Sequence, residues 1–169
     1  MKINVAKVNR NEVETAHYDL EEKFLSFQIG PDILAYKEPV HVQLQVSNTG
    51  KSLLVQGKIH TSLAAVCSRC LEGFPYPIEL TFEDEWVPAS RATTEQQEDC
   101  FLFEEEEIEI TERITEQIIL ALPMKFLCSN ECRGLCPKCG KNLNLQQCAC
   151  AEDNIDPRFA KLTQWSAEE

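Results

Sequence analysis

Eight of the nine cysteines stand in close pairs, and this spacing constrains the fold more than any other feature of the sequence. The pairs are Cys67-x-x-Cys70, Cys128-x-x-x-Cys132, Cys136-x-x-Cys139 and Cys148-x-Cys150. Two thiolates separated by two residues converge on one ion when a tight turn aims both sulfurs the same way. An all-sulfur tetrahedral environment suits Zn²⁺, with an iron–sulfur cluster as the main competitor. We therefore predict two structural zinc ions held by these eight cysteines.

The spacing leaves open which sulfurs share an ion. Proximity along the chain suggests one site made of Cys136, Cys139, Cys148 and Cys150. The other site then contains Cys67, Cys70, Cys128 and Cys132 and staples the 67–70 turn to the C-terminal segment. A second scheme joins Cys67/Cys70 to Cys136/Cys139 as in a zinc ribbon, and a third uses only Cys128, Cys132, Cys136 and Cys139. Each scheme is a closed site, whereas a catalytic zinc keeps one position open for water or substrate. We therefore expect a structural metal and no enzymatic activity.

The remaining candidates for chemistry are few. Cys100 stands alone in Asp99-Cys100-Phe101, and we interpret it as a small buried hydrophobe. His17, His41 and His60 lie in strand-like segments away from the cysteines. We interpret each histidine as a surface or edge-strand residue rather than a ligand or general base.

Alternating hydropathy predicts strands in the first two thirds of the chain. Polar and apolar residues alternate over 40–47, 53–65 and 74–86, the period of strands with one buried face. Pro75 and Pro77 make the start of the third strand an edge or a bulge. Further strands are expected in the N-terminal segment, around Ile3, Val5 and Val8 and around Phe24, Phe27 and Ile29.

One helix is predicted after the acidic run 104–107. Ile110, Ile114, Ile118 and Leu122 recur every four residues, Thr111 can cap the helix, and Pro123 ends it. The predicted fold class is α+β: an antiparallel β-sheet packed by one main helix, with a C-terminal zinc-bound module.

We predict two units, one of sheet plus helix over 1–123 and a zinc module over 124–169, stapled to the 67–70 turn. The module is expected to end in a short helix beginning at Asp156-Pro157-Arg158. The longest strongly apolar run is only Ile118 to Leu122, and the first ten residues do not resemble a signal peptide. The sequence therefore predicts a cytoplasmic protein that does not enter a membrane.

The formal net charge of −12 is the opposite of what a nonspecific nucleic-acid binder shows. Acidic runs at 83–85, 95–99 and 104–116 form either solvated faces or a surface for a basic partner. Residues 124–161 are locally basic and could contact phosphate, or their charges could offset those of the metal–thiolate centres. The candidate contacts for RNA or a partner are Arg69, Arg133, Lys138, Lys141 and Arg158.

Four segments carry a resemblance to a known family. They are Cys67-Ser68-Arg69-Cys70-Leu71-Glu72, Leu120-Ala121-Leu122-Pro123, Cys132-Arg133-Gly134-Leu135-Cys136-Pro137-Lys138-Cys139-Gly140-Lys141-Asn142-Leu143-Asn144, and Asp156-Pro157-Arg158. With them the sequence resembles the YceD family of bacterial and plastid proteins from about Val40 to Leu162.

The resemblance implies a role in accumulation of large-subunit ribosomal RNA, hence in ribosome assembly, and implies no known enzymatic activity. The expected partner is a ribosomal protein or pre-ribosomal particle, with contact to rRNA left open, and no small-molecule substrate is expected. The alternative is a zinc-dependent RNA-processing enzyme or a redox-sensing zinc protein.

Overall fold

The computed structural model describes residues 1–30, 32–93, 100–104, 106–150 and 158. The described chain is built mainly of strands, and the longer of its two helices has 11 residues. The elements are β1 Lys2–Asn4, α1 Ala6–Asn9, β2 Thr15–Glu22, β3 Phe27–Ile29, β4 Asp32–Tyr36, β5 Val40–Asn48, β6 Leu53–Val66, β7 Gly73–Pro88, β8 Phe101–Phe103, β9 Glu107–Glu109 and α2 Thr111–Ala121.

The long strand β6 organises a seven-stranded sheet. On one side it pairs with β7 along its whole length, from Leu53↔Trp86 to Val66↔Gly73. On the other side it pairs first with β5 and then with β4, which extend the sheet through β2 and β3 respectively. A separate two-stranded sheet joins β1 to β9. The predicted strands over 40–47, 53–65 and 74–86 correspond to β5, β6 and β7.

The sheet is mostly antiparallel, but β7 and β8 pair in parallel at Trp86↔Phe101. The expectation of an antiparallel sheet therefore needs this correction. Six residues of the connection between them, Thr94 to Asp99, lie outside the described residues. Among described residues, β7 has its second neighbour only at residues 86–88, so its proline-containing start is an edge, as predicted.

The core lies between one face of this sheet and α2. Alternate residues of β5 and β6, such as Val42 and Ile59, are buried there, as are Ile114 and Ile118 of the helix. Arg113 ties α2 to β7 because its guanidinium donates to both carboxylate oxygens of Asp84, at 2.8 and 2.7 Å. The same guanidinium lies 4.5 Å from the Phe101 ring centroid.

Several local predictions require correction. Val8 lies in the short helix α1 rather than in a strand, and β2 was not foreseen. Thr111 is the first helical residue, and Ile110 occupies the cap position. The Thr111 hydroxyl does not cap the helix, because it forms hydrogen bonds with Glu109 and the N-terminal ammonium. Of the C-terminal helix predicted from Asp156, only Arg158 is among the described residues, in a 3₁₀ turn.

No helix in the described part of the chain combines the length and hydropathy that crossing a membrane requires.

Candidate metal centres

The eight paired cysteines converge in two groups of four. We call Cys67, Cys70, Cys128 and Cys132 the first sulfur centre. Cys136, Cys139, Cys148 and Cys150 form the second sulfur centre. Within each group all Sγ atoms lie within 4.8 Å of one another, and the described residues contain no other such group of three or more metal-ligating side chains. This grouping is the first of the three pairing schemes considered from the sequence, and Cys100 lies outside both groups.

The sulfur separations fit a shared metal ion better than a disulfide. Sγ of Cys67 lies 3.8 Å from that of Cys132, and Sγ of Cys70 lies 3.6 Å from that of Cys128. Four sulfurs at about 2.3 Å from a central zinc in a tetrahedron are separated by about 3.8 Å, whereas bonded sulfurs are about 2.05 Å apart. None of the eight paired cysteines forms a disulfide. The donor set and spacing are compatible with Zn²⁺ without identifying the ion.

The two Cys-x-x-Cys segments fold into the same turn. The N–H of Leu71 donates to the carbonyl of Cys67, and the N–H of Gly140 to that of Cys136, both at 2.9 Å. Both donor residues have a left-handed backbone, with φ of 60° at Leu71 and 71° at Gly140. A second hydrogen bond closes each turn. The N–H of Cys67 donates to the carbonyl of Glu72, and the N–H of Cys136 donates to that of Lys141. Each turn therefore aims two sulfurs to one side of the backbone.

Backbone donors shape the electrostatics of both centres. N–H groups, first that of Cys128 and then that of Cys70, hydrogen-bond the Cys67 sulfur and lower its pKa to about 6. The N–H groups of Cys139 and Lys138 lower the pKa of Cys136 to about 6 in the same way.

Two other cysteines, one in each centre, have a raised pKa. Interaction with the Cys132 side chain raises the pKa of Cys128 to about 12, and Cys139 raises that of Cys150 to about 12. Four thiolates this close repel one another, so only a bound cation makes the fully deprotonated set favourable.

The first centre joins the end of β6 to the segment after α2. Cys67 follows β6 directly and is fully buried, and the N–H of its neighbour Ser68 donates to the carbonyl of Phe126 at 2.8 Å. The Phe126 ring packs edge-on against Tyr76 of β7, with centroids 5.1 Å apart. The sheet and the cysteine-rich segment are thus in direct contact around this centre.

Arg69 lies inside the first turn, and its side chain spans the centre. Its Nη1 donates to the carbonyl oxygens of Cys132 at 2.9 Å and Asn130 at 3.2 Å. Its own carbonyl accepts from the N–H of Leu135 at 3.2 Å. Gly134 lies so close that a Cβ added there would be 3.0 Å from the same carbonyl oxygen, and its φ is +74°. Arg69 therefore connects the 67–70 turn to the 128–135 segment.

Asn144, in the loop between Cys139 and Cys148, contacts the first centre and was not singled out from the sequence. Its Nδ2 donates to Sγ of Cys132 at 3.2 Å, while its Oδ1 accepts from the N–H of Arg133 at 2.7 Å. Asn142 holds it in place, because Oδ1 of Asn142 accepts from both the N–H and Nδ2 of Asn144. The sequence offered one signal for this residue, an Asn-x-Asn pair in a loop. That signal does not indicate a hydrogen bond to a sulfur 12 residues away.

The predicted contact residues Arg69, Arg133, Lys138, Lys141 and Arg158 are all exposed. The structure brings Arg69 and Arg133 to the first centre and places Lys138 and Lys141 in the second turn. Their proposed contact with RNA or a partner stays a prediction.

The model of the YceD family, described as "Large ribosomal RNA subunit accumulation protein YceD", matches residues 55–164, which is more than half of the chain. The chain belongs to the YceD family. The matched segment includes both sulfur centres. The family resemblance inferred from the cysteine motifs is therefore confirmed.

Similar proteins occur in bacteria and plants. An uncharacterized protein of Mycobacterium tuberculosis is 25% identical over 169 residues, covering 97% of this chain and 80% of the relative. The uncharacterized protein YlbN of Bacillus subtilis is 28% identical over 73% of this chain and 72% of the relative. The chloroplastic YCED homolog 1 of Arabidopsis thaliana, named a large ribosomal RNA subunit accumulation protein, is 26% identical, with 82% of this chain and 52% of the relative covered. No solved structure matches this YceD-family chain.

Proposed function

We propose that this YceD-family protein is a non-enzymatic factor for large ribosomal subunit assembly, in which two structural zinc ions shape a surface that binds a pre-ribosomal particle. The name of the family and of its plant relative supports the ribosomal part of the proposal. The observation that carries the rest is the closed set of four sulfurs in each centre.

Four sulfurs around one ion leave no position for a reacting water. A hydrolytic zinc has three protein ligands and binds water in the fourth position. In the first centre, three of the four cysteines are also buried: Cys67, Cys70 and Cys132. The geometry supports a structural metal over a zinc-dependent RNA-processing enzyme.

Charge distribution supports the cysteine-rich segment as the binding surface. Of the 16 Lys and Arg residues four lie in 124–150, whereas only one of the 28 Asp and Glu residues does. The four basic side chains, Lys125, Arg133, Lys138 and Lys141, lie in a segment pinned to the sheet by the first centre. Phosphate contacts come mainly from Lys and Arg, so the proposed contact is with rRNA of the particle.

The test is affinity capture of the tagged protein from a bacterial lysate, comparing wild type with the double variant Arg133→Glu/Lys141→Glu. We expect wild type to retain large-subunit rRNA and proteins, the variant to lose them, and salt to weaken the complex steeply. Lys37→Glu/Lys51→Glu, which reverses two exposed charges outside the cysteine-rich segment, is the charge-matched control and should leave capture unchanged.

Nuclease treatment separates the two kinds of contact. Loss of ribosomal proteins together with rRNA after nuclease supports the rRNA contact. Retention of a ribosomal protein after nuclease would overturn that contact in favour of a protein partner. Absence of any ribosomal component from the wild-type capture would overturn the proposed function itself.

A further inference from the structure

A row of two histidines flanked by two carboxylates crosses four neighbouring strands. The register places Glu21 of β2 opposite His41 of β5, His41 opposite His60 of β6, and His60 opposite Glu79 of β7. All four residues are on the exposed face of the sheet, opposite the core. His41, His60 and Glu79 line an open surface depression of about 740 Å³.

The two imidazoles are within reach of one another. Directly opposed residues of an antiparallel pair have Cβ atoms about 4.5–5.5 Å apart, and the imidazole–metal bond is about 2.0–2.1 Å. His41 and His60 retain 46% and 55% side-chain exposure, so their rings have room to rotate towards a common ion. Rotation is needed, because in the structure each Nε2 faces its outer carboxylate, at 3.7 Å from Glu21 and from Glu79.

We propose that His41 and His60 form a binding site for a divalent transition-metal ion, separate from the two sulfur centres. Imidazole is a preferred ligand of Zn²⁺, Ni²⁺ and Cu²⁺, and the outer carboxylates supply either an oxygen ligand or an acceptor for the ring N–H that does not bind metal. Water completes the coordination shell, since the row does not hold three ligand atoms within 4.8 Å of one another.

The surrounding charges favour a cation. The next row on the same face consists of Asp19, Gln43, Lys58 and Thr81. Together the two rows carry three carboxylates and one ammonium, on a chain whose formal net charge is −12. The ammonium of Lys58 weakens the attraction for a cation, but the three carboxylates outnumber it. An anion such as phosphate would meet the carboxylates on both sides of the histidines.

The experiment adds substoichiometric NiCl₂ to full-length protein loaded with zinc and follows the histidine ring signals by NMR. Ni²⁺ is paramagnetic, so a shared ion should broaden the signals of His41 and His60 together. His17 is the internal control, because it lies on the same exposed face opposite Gln45 and has no histidine partner. The zinc content is measured before and after, to verify that the sulfur centres keep their metal.

Affinity measurements on variants complete the test. His60→Ala should weaken Ni²⁺ binding by about 100-fold, because a second, well-placed ligand raises affinity by at least that factor. His17→Ala should leave the affinity unchanged. Equal broadening of all three histidines, or an unchanged affinity in His60→Ala, would overturn the proposal. Both variants replace exposed side chains, and amide spectra verify that the fold is retained.

Discussion

Asn144 donates a hydrogen bond from Nδ2 to Sγ of Cys132 over 3.2 Å, across the boundary between the two sulfur centres. The donor belongs to the loop between Cys139 and Cys148, and the acceptor belongs to the first centre. A bond from a neutral donor stabilises a thiolate, and Asn144 acts in this direction on the pKa of Cys132, which is lowered although burial opposes the shift. This side chain therefore ties the loop between Cys139 and Cys148 to the first centre.

Replacing Asn144 should weaken metal binding at the first centre. We expect Asn144→Ala to lower the affinity of that centre by about 10- to 100-fold, the usual effect of removing a partner that hydrogen-bonds a metal ligand. Competition of the bound metal with a chelator measures this affinity. Gln146→Ala, an exposed residue of the same loop, is the matched control. Equal metal retention in both variants would show that the bond contributes nothing to the site.

Removing single cysteines should separate ligands from bystanders. Cys67→Ser should lower the bound metal from about two ions to about one per chain, because a closed four-sulfur site depends on every ligand. Cys100→Ser should bind as much metal as wild type, since Cys100 lies outside both centres. Elemental analysis of the purified proteins measures the stoichiometry. A loss of metal in Cys100→Ser would contradict the assignment.

Removing the metal should affect the molecule unevenly. The backbone of 128–150 is hydrogen-bonded to Arg69 in the first Cys-x-x-Cys turn, whereas β5 to β7 are held by a continuous hydrogen-bonded ladder and an apolar core. Chelation should therefore collapse the amide signals of 128–150 and leave those of β5 to β7 dispersed. An unchanged amide spectrum after complete metal removal would show that the segment folds without metal.

Two glycines with a similar backbone should respond differently to alanine. Gly134 and Gly140 have φ of +74° and +71°, a conformation that costs an L-residue about 1–2 kcal/mol. A Cβ at Gly140 meets nothing within 4 Å, whereas one at Gly134 meets the Arg69 carbonyl at 3.0 Å. Denaturation of the metal-loaded protein should thus show a loss of about 1 kcal/mol for Gly140→Ala and about 2–3 kcal/mol for Gly134→Ala. Equal losses would contradict the close approach of Arg69.

The two acceptors of Arg113 should differ in their contribution to stability. Asp84 has 3% of its side chain exposed and Glu116 has 59%. Asp84→Asn should reduce the free energy of unfolding by about 3 kcal/mol, because it removes one charge of a largely buried ion pair. Glu116→Gln, the isosteric control, should change it by less than about 0.5 kcal/mol. Urea denaturation of both variants provides the comparison.

The sequence alone determined the periodic elements and identified the paired cysteines as candidate metal ligands. Alternation predicted β5, β6 and β7 because one face of each strand is buried, and a spacing of four predicted α2 through Ile114 and Ile118. Local spacing also predicted that Cys67 and Cys70 share an ion, since one turn positions both sulfurs. These features depend on residues close together in the chain.

Tertiary structure decided the features that join distant segments. Three pairings of the sulfurs were compatible with the spacing. Contacts of Ser68 with Phe126 and of Arg69 with Asn130, Cys132 and Leu135 bring Cys67 and Cys70 to Cys128 and Cys132. The parallel pairing of β8 with β7, the reach of Asn144 to Cys132 and the alignment of His41 with His60 have the same origin. Each of these contacts joins residues that are far apart in the chain. Local sequence patterns do not predict such contacts, because they depend on how distant segments align in the folded protein.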